Sequence, residues 1–75
     1  MNELIPTNET AKRIIEEQGR KQEWVMKKMN EFNPSLNLNS SKFSAMLNGI
    51  RKMSGDELIA FCNVLEVTPD EFLEQ

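Results

Sequence analysis

The sequence predicts an all-α fold: a compact single domain of five helices spanning residues 1–75. Three observations predict it. Apolar residues recur at helical spacing, as in Ala11–Ile14–Ile15, Val25–Met29–Phe32 and Phe43–Met46–Leu47. Start and stop signals separate these runs: Gly19, Asn33-Pro34, Gly49, and Ser/Thr-x-x-Glu boxes at Ser54 and Thr68. The connections between them are mostly short, which favours helices packed on one shared core.

In chain order, residues 1–7 read as a loose N-terminal arm, with Leu4 and Ile5 able to tuck onto the body. Thr7 or Asn8 caps a first helix, and Glu9 sits in its first turn, where the dipole favours an acid. Ala11, Ile14, Ile15 and Gln18 carry its period, and Gly19 ends it. A second helix starts near Lys21 or Gln22 and runs to about Phe32, with Val25, Met29 and Phe32 on one stripe. Pro34 stops it, because the residue before a proline is pushed out of the α region. NPSLNLN, residues 33–39, reads as an ordered loop anchored by Leu36 or Leu38, with Phe32 packing beside it and Trp24 as neighbour. A third helix follows. Ser54 and Glu57 open a fourth with Leu58, Phe61, Cys62 and Leu65 on one side. Thr68-Pro69-Asp70-Glu71 opens a short fifth containing Phe72 and Leu73.

Composition excludes several classes of function. One cysteine excludes an internal disulfide, and a reducing, cytoplasmic setting is expected. No apolar run approaches the ~20 residues of a membrane span, and MNELIPTNET lacks the pattern of a secretory leader. There is no histidine and no tyrosine. Cys62 falls on a core face, where an inert thiol is expected. The carboxylate pairs Asp56-Glu57 and Asp70-Glu71 sit at helix starts, where capping explains them. No catalytic residue, metal site, cofactor or small-molecule substrate is expected.

The net charge of −3 hides a segregation. Residues 20–53 hold seven bases (Arg20, Lys21, Lys27, Lys28, Lys42, Arg51, Lys52) against Glu23 and Glu31, a local +5. The flanks carry −8. A binding footprint follows the local field and not the total. Within the basic segment lies NSSKFSAMLNGIRKM, residues 39–53. Asn39, Ser40 and Ser41 favour a helix N-terminus, Gly49 a left-handed stop, and Phe43, Met46, Leu47 and Ile50 an inner stripe. The outer face, Ser41, Lys42, Ser44, Ala45 and Asn48, is small or polar, and Arg51 and Lys52 follow. Such a helix suits a DNA major groove. An ordinary amphipathic helix accounts for the same pattern.

The order of elements widens the case. GRKQEWVMKKM, residues 19–29, and SKFSAMLNGIRKMSGDELIAFCNVLEVTPDEF, residues 41–72, together resemble the Cro/repressor-type (Xre-like) helix-turn-helix family of phage and bacterial transcription regulators. The resemblance covers about residues 8–74 and implies a lambda-repressor-like domain that binds double-stranded DNA. By that resemblance Asn39, Ser40, Ser41, Ser44 and Ala45 face bases. Arg20, Lys21, Gln22, Lys42, Asn48, Arg51 and Lys52 meet the DNA backbone. The chain departs from the family pattern twice. About eleven residues, Asn30 to Ser40, lie between Met29 and Ser41 where the family uses a tight turn; part of them lengthens the second helix and the rest is NPSLNLN. The outer face also lacks an arginine or glutamine pair for bidentate base contacts, so DNA shape or the loop would add selectivity. A homodimer on a two-fold operator is expected, with Phe72-Leu73 as candidate contact. The alternative is a protein-interaction module on the same fold, an antirepressor or partner of another regulator, which the acidic flanks would suit.

Overall fold

The computed structural model describes residues 7–72. Among these residues the chain forms four α-helices and two 3-10 turns, with no strand. Helix α1 spans Thr7–Gln18, α2 Gln22–Phe32, α3 Ser40–Leu47 and α4 Gly55–Leu65; the turns are Pro34–Leu36 and Pro69–Phe72. Thr7 of the expected arm already belongs to α1, while Leu4, Ile5 and Leu73 lie outside the described residues.

The helix ends follow the local chemistry. Gly19 takes φ +66°, with Arg20 N–H donating to the Ile15 carbonyl at 3.1 Å. This six-to-one bond satisfies a carbonyl that the helix end leaves free. Gly49, at φ +77°, closes α3 in the same way, Ile50 N–H reaching the Ala45 carbonyl at 2.9 Å. The box at Ser54 is complete: Ser54 Oγ accepts from Glu57 N–H, and Glu57 Oε1 accepts from Ser54 N–H. Among the described residues the expected fifth α-helix is present only as a 3-10 turn, closed by Glu71 N–H on the Thr68 carbonyl.

The core joins all four helices: Ile14 and Ile15, Val25 and Met29, Phe43, Met46 and Leu47, Phe61 and Leu65. Leu38 from the loop and Phe72 from the last turn complete it. Three expected placements are corrected. Phe32 is 46 % exposed: it is in phase with Val25 but is the last residue of α2, and the buried part of the stripe ends at Met29. Ile50 is 81 % exposed, because Gly49 breaks the phase that would have kept it on the inner stripe. Phe72 is buried edge-on against Phe61, centroids 6.1 Å apart, which removes it as a dimer contact. The loop is ordered around the expected anchors: Leu38 is buried, Leu36 packs on the core, and so does half-buried Trp24.

Candidate nucleic-acid interface

Helix α3 is held by its inner face. Phe43, Met46 and Leu47 are buried, while Ser40, Ser41, Lys42, Ser44 and Asn48 are exposed and Ala45 is half-buried. Burial of three large side chains on an eight-residue helix sets its rotation, since any turn about its axis would bring apolar surface into water. Asn39 precedes the helix in extended conformation, and its Oδ1 accepts from Lys42 N–H at 2.8 Å. Its carboxamide oxygen is therefore occupied as a cap. Asn48 Nδ2 donates to Ser44 Oγ at 3.2 Å, so these two expected contacts form one polar unit.

Helix α2 brings its N-terminus alongside. Gln22, Glu23 and Met26 line a cleft of about 230 Å³ with Ser40 and Phe43 of α3. Gln22 and Ser40 thus border one opening, and Glu23 borders it too. Lys21 caps α2 through its extended backbone, without a side-chain bond. The Arg20 guanidinium lies over the Trp24 ring, 4.4 Å from its centroid, and Lys28 Nζ is 5.9 Å from it. A cation at that distance is attracted by the ring quadrupole. Arg20 therefore stacks on α2, and does not extend freely beside Lys21 and Gln22.

Arg51 and Lys52, adjacent in sequence, have different environments. Lys52 is exposed. Arg51 is bound to Glu57 by two bonds, Nη1–Oε1 at 3.0 Å and Nη2–Oε2 at 2.6 Å. The Glu57 side chain is 4 % exposed and that of Arg51 38 %. The Arg51 bonds hold the Glu57 carboxyl below the usual range despite burial, aided by the bonds from Ser54. The same pairing raises Arg51. Arg51 thereby ties the end of α3 to the start of α4. No local periodicity announces this pair, because the chain between residues 51 and 57 is not one helix.

Sequence reasoning also missed the role of Asn30, which it left as an ordinary residue of the lengthened second helix. Asn30 lies in the last turn of α2. Its Nδ2 donates to the Leu38 carbonyl at 2.9 Å and its Oδ1 accepts from Leu38 N–H at 2.8 Å. The connection proper is residues 33–39. Asn33 Oδ1 accepts from Ser35 N–H and Oγ–H, and Asn37 adopts a left-handed conformation at φ 47°. Cys62 is buried, and desolvation pushes its thiol up, away from the reactive thiolate. No helix among the described residues is long and apolar enough to cross a membrane.

The exposed face of α3, its buried inner face and the adjoining N-terminus of α2 form the framework of a helix-turn-helix unit. No curated protein and no solved structure matches the chain. Residues 23–75, which include α3, α4 and nearly all of α2, match the family described as the Cro/C1-type HTH DNA-binding domain. With more than half of its length matched and an all-helical fold to carry it, the chain belongs to the Cro/C1-type helix-turn-helix DNA-binding domains.

Proposed function

We propose that the chain is a sequence-specific regulator of transcription, a small repressor of phage or prophage type that reads double-stranded DNA with α3. The observation that carries this reading is the division of α3. Three buried residues fix it, and a row of small polar groups faces out, in the segment where the bases concentrate. In this reading Asn39, Ser40, Ser41, Ser44 and Ala45 face bases. Lys21, Gln22, Lys42, Asn48 and Lys52 meet phosphates, where counterion release supplies most of the affinity. Arg20 and Arg51 reach phosphate only by leaving or sharing Trp24 and Glu57, so their contribution is smaller than that of a free lysine. Asn37, exposed at the left-handed corner of the loop, is free for an added polar contact. One such domain buries little DNA surface, so a homodimer on a two-fold operator is the expected binding form.

A second reading has an observation of its own. From Ser54 to Phe72 the chain exposes Asp56, Glu66, Asp70 and Glu71 and holds no base, Glu57 being buried against Arg51. Ile59 is exposed on α4 in the midst of them. A face of that kind suits a basic partner protein, such as another regulator. Selection of bound duplexes from random DNA separates the two. A recovered palindrome supports the operator-reading dimer. Failure to retain any duplex at low salt, with a 1:1 complex formed with a regulator, supports the second.

A further inference from the structure

We propose that Asn30 is the positioning residue of the reading helix: its carboxamide, bonded to both backbone groups of Leu38, does the work of a tight turn and fixes where α3 begins. This rests on the DNA-binding reading of α3. The connection of residues 33–39 is long enough to be a soft coupling, because closing a longer loop costs little and leaves its ends poorly oriented. Three features oppose that softness. Asn33 folds the first turn through Ser35, and Leu38 is buried in the core. Asn30 then fastens the backbone itself, at 2.9 and 2.8 Å.

The residue type matters. A carboxamide presents one acceptor and one donor side by side, so it pairs with the N–H and C=O of a single residue as a neighbouring strand would. Aspartate keeps only the acceptor. A hydroxyl is too short to span both groups, and alanine reaches neither. The fastened residue is also the critical one. Leu38 directly precedes Asn39, and Asn39 caps α3 through Lys42 N–H. A continuous rigid path therefore runs from α2 through Asn30 and the Leu38 backbone to the first turn of α3. That turn carries Ser40 and Ser41, while Gln22 belongs to α2. The Asn30 clamp thus sets the spacing between Gln22, assigned to phosphate on α2, and the base-facing groups of α3. Loss of the clamp should harm discrimination more than attraction, because attraction follows charge and tolerates a shift in register.

The test compares wild type, Asn30→Ala, Asn30→Asp and a control, Ile15→Val, which trims one methylene from the core side of α1 and leaves the Asn30 bonds intact. Each is titrated, at a temperature where all are folded, with a duplex selected by the wild type and with a scrambled duplex. The ratio of the two affinities should fall about tenfold in both Asn30 variants, on the order of one base pair's discrimination. The added charge of Asn30→Asp weakens both duplexes alike and cancels in the ratio. Ile15→Val should keep the wild-type ratio at a similar loss of thermal stability, which a purely stabilising role for Asn30 would not allow. The Leu38 amide should exchange faster in Asn30→Ala. A selective wild type with equally selective Asn30 variants would overturn the role of Asn30 alone. A wild type that selects no duplex would overturn the DNA reading, and the clamp's role with it.

Discussion

Single side chains divide cleanly into those that hold α3 and those it offers. Phe43 is fully buried, so Phe43→Ala should cost about 3–5 kcal/mol in chemical denaturation through lost burial and the cavity left behind. Ser41 and Ser44 are exposed. Alanine there should stay within about 0.5 kcal/mol of wild type and show its effect in base preference instead. Glu57 has the opposite character to an exposed acid. Its carboxylate is buried, accepts two bonds from Arg51 and one from Ser54 N–H, and is held below the usual range. A lowered folded-state value means that the contribution to stability is complete above the ordinary carboxylate range. It is lost as pH falls below that range and through the lowered value. Glu57→Gln should flatten the acid limb of the stability profile and cost about 1–3 kcal/mol at neutral pH. The half-exposed position of Arg51 keeps the loss below that of a fully buried pair. An acid limb identical in wild type and variant would show the pair to be idle.

At the scale of elements, the ends of the helices decide the fold. Helix α4 ends with Glu66 in the left-handed region at φ 56°, where Val67 N–H bonds the Cys62 carbonyl. A Cβ is strained there, so Glu66→Gly should raise stability by about 1 kcal/mol despite the greater freedom of glycine when unfolded. A lower melting temperature would mean that the Glu66 side chain contributes more than its backbone costs. In the loop, Leu38→Ser should cost about as much as other buried leucine truncations, 2–5 kcal/mol, and Leu36→Ser less. These helix ends were the most legible part of the sequence. Gly19, Gly49, Asn39 and the Ser54–Glu57 box act through neighbours a few residues away, so their chemistry is visible in a short window. What stayed hidden depends on distance or on phase. The stripe extrapolated through Ile50 failed because a left-handed residue intervenes. Asn30 and Arg51 look like ordinary polar residues until the loop returns Leu38 to one and α4 brings Glu57 to the other. Phe72 reads as an exposed terminal ring only if the last element is an extended helix; a single 3-10 turn folds it onto Phe61.

For the whole molecule the governing feature is that charge and anchoring overlap without coinciding. Lys42 and Lys52 are exposed and outside the ion pairs found among the described residues, whereas Arg51 braces α3 to α4. Lys42→Ala and Lys52→Ala should each reduce the salt slope of duplex binding by about one without moving the melting temperature. Arg51→Ala should lower the melting temperature first. If all three variants weaken binding equally at constant stability, the Glu57 pair is broken in the complex and Arg51 serves as a third phosphate contact. The family and the helical architecture could be read from the order of short signals along the chain, whereas which cation is free and which is structural could not.

The stacking of Arg20 on Trp24 gives the protein a built-in optical gauge. The chain has one tryptophan and no tyrosine, so its emission, excited where only indole absorbs, comes from that single ring. The indole lies at the start of α2, half in the core and half beneath a guanidinium. Unfolding would strip away both surroundings and shift the emission to the red. A phosphate that draws Arg20 off the ring would remove only one, changing intensity while the core-facing side stays dry. Two distinct spectral changes from one side chain would then report folding and engagement separately, without any label.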